Sequence, residues 1–270
     1  MSEGAVTSAS PKAVALSVIT PVLDGNDRIA QCIESVRRHA GTDYEHLVVD
    51  GGSKDGTLDV VRAMMATDPH IRLLTGPDRG QSHAMNKGVA AATGDVLGFL
   101  NVDDEYLAGG PAMAVAALAT APRPSFFWGA CEIDDQVRGR RWTQRPWRLE
   151  AWRLLAGWKF GPHPVNPSSY FYHRSLHDAA GPYREDEHFA MDLEFVARAT
   201  PFLWSVLRTN EVIGRFRFAP GTKTHSYLQR PGRLMHEDRL LAPLRHRLPP
   251  WQRFTCEACR WVSRIGKRRR

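Results

Sequence analysis

The stretch GDVLGFLNVDDEY, residues 94–106, decides how the rest of the chain is interpreted. Residues 95–100 form a short apolar run between a glycine and a polar cluster, which is typical of a strand buried on both faces. Asn101, Asp103 and Asp104 come directly after that run. Open α/β sheets bind their ligands at the carboxyl ends of the strands. The three polar side chains are therefore predicted to lie at a binding site.

Asp103 and Asp104 are adjacent carboxylates, and adjacent carboxylates repel each other unless a positive group lies beside them. A hard divalent cation with oxygen ligands meets that need, and such ions often hold substrate phosphates in their remaining positions. The alternative is an acidic turn that caps a helix. The other motifs of the chain favour the cation.

Strands and helices are predicted to alternate before this stretch. Strands are expected over residues 16–22, 46–50 and 71–74, and helices from Asn26 as N-cap to His39, over 58–65 and over 82–92. This alternation indicates an α/β fold with a parallel, doubly wound sheet. No GxGxxG follows the first strand and no GxxxxGK[ST] occurs, so phosphates must be held in some other way.

The second half of the chain is less regular. A helix is predicted over residues 110–121, a strand over 125–133 with a polar return over 134–142, and two strands over 202–207 and 211–218. A helix is also predicted over residues 146–160. Its apolar residues would lie on one face, and they are Trp147, Ala151, Leu154, Leu155 and Trp158. That helix is either part of the core or an interfacial helix on the acceptor side.

Four motifs in a fixed order carry a resemblance to a known family. They are SVITPV (17–22), VVDGGSKDGT (48–57), PDRGQSHAMNKG (77–88) and TGDVLGFLNVDD (93–104). Together they resemble the N-terminal half of the family 2 glycosyltransferases, which have the GT-A fold. The resemblance implies a nucleotide-diphosphate sugar donor, a divalent cation (Mn²⁺ or Mg²⁺) and transfer with inversion.

The resemblance also implies roles for particular residues. It places Thr20, Pro21 and Asp50 near the nucleoside, and Asp78 and Asn86 in the same pocket. The remaining donor-site residues are Asn101 and the pair Asp103 and Asp104, of which Asp103 binds ribose and Asp104 the metal, or both share the metal.

Two positions depart from the family pattern. Gly51 follows Asp50 where a second Asp is commoner, and Asn101 stands at the first Asp of D-x-D, which leaves the metal to Asp103 and Asp104. Turn formation and helix capping are the alternative roles of Asp50 and Asp78.

The acceptor half resembles the same family through NPSSYFYHRSL (166–176) and AGPYREDEHFAMDLEFVAR (180–198). Asp192 matches the family's catalytic carboxylate, which would take the proton from the acceptor hydroxyl. Glu194 is the weaker candidate, and a helix-terminal acid stabilised by the dipole is the alternative role of Asp192.

The loop APGTKTHS (219–226) resembles the family's ordered donor-site loop, where Lys223 or His225 could meet the pyrophosphate, unless both are simply solvated. The QxxRW of processive members is absent, so transfer of a single sugar is expected.

The composition gives the expected setting. The 270 residues, 43% of them hydrophobic, can form a full core, and no apolar run approaches the ~18 residues of a membrane span. The N-terminus lacks a secretory pattern and four cysteines make no disulfide framework, so a reduced, cytoplasmic protein is expected. The expected organisation is a lead-in (1–13), a GT-A domain (14–230, divided into donor half 14–106 and acceptor half 107–230) and a basic tail (231–270).

Positive charge is concentrated in the tail. Residues 230–270 contain twelve Lys or Arg and three Asp or Glu, while the net charge of the whole chain is +7. Nucleic-acid binding by the main domain is therefore not expected.

The last segment of the tail has the periodicity of an amphipathic helix. Its apolar stripe is formed by Trp251, Phe254, Ala258, Trp261, Val262 and Ile265. Its basic residues are Arg253, Arg260, Arg264 and the final KRRR that begins at Lys267. This pattern predicts attachment to an anionic membrane surface, on the inner face of the plasma membrane. The alternative is that the stripe docks on the protein itself. Cys256-x-x-Cys259 lies in the same helix without a second ligand pair, so its spacing is taken as fortuitous.

Together these features predict a glycosyltransferase that moves one sugar to a saccharide or lipid-linked acceptor, in cell-surface polysaccharide or glycolipid synthesis. Two alternatives remain. A nucleotidyltransferase would need a glycine-rich basic loop after the first strand, where the chain has PVLDGND (21–27). A non-catalytic sugar-binding relative would have degenerate carboxylate sites, and neither site is degenerate.

Overall fold

The computed structural model describes residues 14–157, 163, 164 and 166–268, with side chains described up to residue 262. The strands are β1 (Leu16–Val22), β2 (Tyr44–Asp50), β3 (Ile71–Thr75), β4 (Val96–Phe99), β5 (Glu105–Tyr106), β6 (Ser125–Asp135), β7 (Arg140–Gln144), β8 (Tyr170–His173) and β9 (Ser205–Phe218). The helices are α1 (Ile29–His39), α2 (Thr57–Met65), α3 (Gln81–Ala91), α4 (Gly110–Ala119), α5 (Ala151–Ala156), α6 (Arg174–Ala180), α7 (Met191–Ala199), α8 (Lys223–Gln229), α9 (Arg233–His246) and α10 (Pro250–Arg268).

The donor half is a parallel sheet of four strands in the order β3-β2-β1-β4. The prediction of a parallel α/β sheet is confirmed here. Strand β4 is buried along its length, as the apolar run from Val96 to Phe99 requires. A Cβ atom at Gly98 would lie 2.6 Å from the ring of Phe171 on β8, so only glycine lets these two strands approach.

Beyond β4 the sheet continues in the order β8, β6, β9 and β5. Strand β8 is antiparallel to both β4 and β6, and β7 forms an antiparallel pair with β6. The two strands predicted over 202–207 and 211–218 are instead one strand, β9. It runs parallel to β6, and opposite Trp128 and Ala130 it has Arg208 and Val212. The extra residues are accommodated as a bulge, which looks like a break when only the sequence is considered.

Two predicted helices begin or end elsewhere. Asn26 was predicted to cap α1, but α1 begins at Ile29, and the Asn26 N–H donates to Asp55 at 2.9 Å. Within the segment 146–160, the described helix is only α5, and Trp158 lies outside the described residues. Leu154 and Leu155 of α5 are buried, which supports the core interpretation of this helix.

The C-terminal helices are packed onto the body of the protein. Leu240, Leu241 and Leu248 belong to the same hydrophobic cluster as Phe126 on β6, and so does Cys256 on α10. The proposed boundary at residue 230 stays a prediction. Among the described helices, none combines the length and the apolar character that crossing a bilayer requires.

Candidate active site

A cleft of about 370 Å³ opens where β1 and β4 end. The cleft brings together six of the nine predicted site residues, namely Pro21, Asp78, Asn101, Asp103, Asp104 and Asp192. It joins the two halves of the chain, because α7 and α8 contribute lining residues as well as the loop after β4. The other three predicted residues, Thr20, Asp50 and Asn86, do not line it.

Those three residues have structural contacts. The Thr20 hydroxyl lies 2.9 Å from His46 Nε2 inside the sheet. Asp50 is buried and accepts a hydrogen bond of 2.9 Å from the Gly52 N–H, so it forms the turn after β2. The Asn86 amide holds the backbone of Tyr183 through both its nitrogen and its oxygen, each at 2.9 Å. Their predicted contact with a nucleotide sugar stays a prediction.

The position of Asp78 accounts for Gly51, the glycine that stands where the family more often has a second Asp. Its Oδ1 accepts a hydrogen bond of 2.9 Å from the Gly80 N–H. Its other oxygen faces Gly51, where a Cβ atom would lie 2.5 Å away. A second carboxylate at position 51 would therefore displace Asp78 from the cleft wall.

Asp103 is the accessible member of the carboxylate pair. Its Oδ1 lies 2.5 Å from Arg28 Nη1, and about a quarter (27%) of its side chain is exposed. The sequence analysis expected a metal cation to offset the negative charge of this carboxylate. In the structure the guanidinium of Arg28 offsets it. The carboxylate still lines the cleft, so its second oxygen is available to a ligand.

Asp104 is buried, and its oxygens accept hydrogen bonds from three groups. Oδ2 accepts from the side-chain amides of Asn166 (2.8 Å) and Asn101 (3.1 Å), and Oδ1 accepts from the Arg217 N–H (3.0 Å). Burial raises the pKa of Asp104 to about 7, against the opposing effect of these donors. Asp104 thus ties the loop after β4 to β9 and to the segment before β8.

A divalent cation fits this site if it is held by one carboxylate, that of Asp103, rather than by the pair. No cluster of three or more His, Cys, Asp or Glu side chains suited to a metal occurs in the described part of the chain. Mg²⁺ is commonly held by one or two carboxylates together with substrate phosphates and water. Asp103 meets that description, whereas the oxygens of Asp104 are already engaged.

Asp192 lies in the first turn of α7, as predicted, and lines the same cleft as Asp103. Burial raises the pKa of Asp192 to about 6, and the positive charge of Lys223 and a hydrogen bond from the Tyr170 hydroxyl (3.4 Å) oppose that shift. A carboxylate with this pKa is ionised at neutral pH and basic enough to accept a proton. Glu194 is buried against Arg198 at 2.8 Å and does not line the cleft.

Several cleft residues were missed or only weakly indicated by the sequence. Lys223 lines the cleft and donates to Gln81 Oε1 at 2.8 Å, whereas His225 does not line it. Phe189 and Tyr227 stack at 4.7 Å between ring centroids and also line it. Phe189 lies within the motif at 180–198 and Tyr227 directly after the loop 219–226, but neither pattern predicts that the two rings meet, because their contact forms only in the folded chain.

Comparison with known proteins agrees with this geometry. The family model for glycosyl transferase family 2 matches residues 17–179. The chain belongs to this family. An uncharacterised glycosyltransferase of Mycobacterium tuberculosis is 35% identical over 190 residues, which is 68% of each chain. A PGL/p-HBAD biosynthesis glycosyltransferase of Mycobacterium bovis is 32% identical over 189 residues, covering 67% of this glycosyltransferase and 68% of the relative.

Solved structures show the fold. TarS of S. aureus in complex with UDP-GlcNAc superposes with a TM-score of 0.71 at 17% identity, over 90% of this chain and 70% of that one. Glucosyl-3-phosphoglycerate synthase of M. tuberculosis, in complex with Mn²⁺, UDP and glucosyl-3-phosphoglycerate, gives a TM-score of 0.57 at 18% identity, over 84% of this chain and 80% of that one. The predicted GT-A fold is confirmed, and this glycosyltransferase is an enzyme of that class.

Proposed function

We propose that this enzyme transfers a single sugar from a nucleotide-diphosphate sugar to an acceptor hydroxyl, with inversion at the anomeric carbon. The observation that carries the proposal is that Asp192 and Asp103, which come from different halves of the chain, line one cleft. A base and a diphosphate site within one cleft are what direct displacement of a nucleoside diphosphate needs.

Asp103 is the residue we assign to the divalent cation, Mn²⁺ or Mg²⁺, which when bound would neutralise the diphosphate of the donor. Arg28 holds this carboxylate in place, and Asp104 fixes the loop behind it through Asn101 and Asn166. Lys223 adds a positive charge on the α8 side of the cleft. The structural neighbours solved in complex with UDP, or with Mn²⁺ and UDP, support this assignment.

Asp192 is the proposed base. It takes the proton of the acceptor hydroxyl as the hydroxyl oxygen attacks the anomeric carbon and the bond to the diphosphate breaks. The Tyr170 hydroxyl and Lys223 favour its ionised form. The test is calorimetry with UDP and Mn²⁺ followed by a donor-hydrolysis screen over nucleotide sugars. Absence of metal-dependent UDP binding would contradict the proposal.

The acceptor is proposed to be a saccharide or a lipid-linked sugar in the synthesis of a cell-surface polysaccharide or glycolipid. The relative named for PGL/p-HBAD biosynthesis supports this class. The exposed aromatic surface of α10 is a second observation that supports a lipid-linked acceptor.

The aromatic residues of α10 lie on its free face. Trp251, Phe254 and Trp261 are each at least 65% exposed, and Val262 is exposed beside them. The opposite face is docked, since Cys256 is fully buried and Arg260 pairs with Asp238 of α9. In the described part of the helix, the exposure of these side chains supports a free stripe rather than one that packs on the protein.

We infer that this face binds an anionic lipid surface, so that the enzyme is a peripheral protein on the inner face of a membrane. Trp and Phe partition into the interface, and each nearby basic residue adds about 1 kcal/mol. Residues 230–270 carry an excess of nine positive charges. A dimer through the same face would bring two such charged segments together, which favours lipid over a second copy.

A further inference from the structure

A second, larger groove lies beside the catalytic cleft. It has a volume of about 690 Å³ and runs between the loop 184–187 and the start of α9. Four arginines line it, and its other lining residues include Met235, His236, Leu240 and Pro243. The proposed donor chemistry uses none of these residues.

The groove adjoins the cleft across a pair of aromatic rings. Phe189 and Tyr227 line the cleft and stack on each other. Arg230 lies over the ring of Phe189 at 5.3 Å, and Arg233 lies over that of Tyr227 at 6.0 Å. Both arginines line the groove. Because Phe189 and Asp192 line the same cleft, the groove adjoins the cleft that holds the proposed base.

The charges of the groove are unevenly compensated. Arg184 pairs with Asp186 at 2.6 Å, and Arg233 pairs with Glu237 at 2.9 Å. Arg230 and Arg239 are exposed and have no carboxylate partner among the residues that the structure describes. Two uncompensated guanidinium groups therefore face one groove.

The two acidic residues that line the groove do not offset them, since Asp186 pairs with Arg184 and Glu187 is engaged within the protein. Glu187 is buried and accepts hydrogen bonds from the backbone N–H groups of Phe189 (2.8 Å) and Ala190 (2.9 Å). His236 lies 2.9 Å from its other oxygen. These contacts occupy the carboxylate, so an anion in the groove would meet the arginines first.

We propose that this groove binds a phosphate or diphosphate group carried by the acceptor. The inference rests on the proposed function, because it places the group next to the base that activates the acceptor hydroxyl. The planar guanidinium pairs with phosphate oxygens through two parallel hydrogen bonds. Met235, Leu240 and Pro243 offer apolar walls to the part of the acceptor that carries the phosphate.

The test uses the full chain and inorganic pyrophosphate as the probe, titrated in EDTA and followed by NMR of arginine side chains. The double variant R230Q/R239Q should bind pyrophosphate at least about tenfold more weakly, because charge-assisted hydrogen bonds are lost. The matched control R38Q/R62Q removes two exposed arginines of α1 and α2 and should bind like the wild type. Unchanged affinity in R230Q/R239Q would overturn the proposal.

Two further arms separate the alternatives. If Lys223→Met weakens pyrophosphate binding and R230Q/R239Q does not, the anion occupies the donor cleft and the groove assignment fails. If phosphatidylglycerol vesicles displace pyrophosphate equally from the wild type and from a W251S/F254S/W261S variant, which lacks the exposed aromatics of α10, the groove serves lipid headgroups and the acceptor assignment fails. UDP binding with Mn²⁺ is measured separately on the wild type, so failure of the proposed function remains distinguishable from failure of the groove.

Discussion

Asn166 donates a hydrogen bond of 2.8 Å to Asp104, although the two residues are 62 positions apart in the chain. The same carboxylate accepts from Asn101 and from the backbone of Arg217. Its neighbour Asp103 instead faces the cleft and Arg28. Two residues that look equivalent in the sequence therefore have different surroundings, and they should respond differently to substitution.

Asp103→Asn should abolish the metal-dependent part of UDP binding while leaving the melting temperature nearly unchanged, because the residue is partly exposed and the amide has the same shape. Calorimetry with UDP, with and without Mn²⁺, measures the first effect. Asp27→Asn, at an exposed position beside Arg28, is the control. Retained metal dependence in Asp103→Asn would remove this residue from the cation site.

Asp104→Ala should lower the free energy of unfolding by about 3 kcal/mol or more, since three donors lose their common acceptor and each buried, unsatisfied group costs ~1–3 kcal/mol. Urea denaturation followed by circular dichroism measures the change. Asp103→Ala is the matched control and should cost less. If the two variants unfold at the same urea concentration, the structural role of Asp104 is wrong.

Asp192→Asn should keep UDP binding and lose transfer by ~10²–10⁴-fold, which is the usual contribution of a general base. In the wild type, kcat/KM should fall as the pH drops below about 6, because burial raises the pKa of Asp192 to about 6 and the protonated form cannot accept a proton. The variant should lack this acidic limb. Glu194→Gln, which alters the buried pair with Arg198, tests the neighbouring carboxylate.

Lys223→Met should move the acidic limb to higher pH. The positive charge of Lys223 lowers the pKa of Asp192 against the effect of burial, so its removal leaves the carboxyl protonated up to a higher pH. The same change should weaken binding of UDP. Lys87→Met, where the ammonium donates to the Gly76 carbonyl, is a control outside the cleft. An unshifted pH profile would show that Lys223 does not act on Asp192.

The triple variant W251S/F254S/W261S should lose binding to phosphatidylglycerol vesicles at low salt, while the wild type binds and is released as salt rises. Its circular dichroism should be unchanged, because these side chains are exposed. The matched control W142S/F202S/W204S removes three exposed aromatics elsewhere and should bind like the wild type. Equal binding of both triple variants, or no binding by the wild type, would contradict membrane attachment.

The sequence by itself determined the parallel half of the sheet. Runs such as residues 16–22 and 96–99 are largely apolar because strands covered on both faces must be, and that requirement is local. It also placed Asp192 in the first turn of its helix, since the motif around it lies within a few residues. The order of four short motifs was enough to predict the family.

Only the tertiary structure decided which side chains meet. Asp103 and Asp104 differ because Arg28 comes from α1 and Asn166 from the segment before β8, and no local pattern encodes contacts over such separations. The periodicity of α10 likewise identified an apolar stripe, but it did not determine whether that stripe faces solvent or packs on the protein. The docked face is fixed by Cys256 and Arg260, because burying those side chains against α9 and the core leaves the aromatic stripe outside.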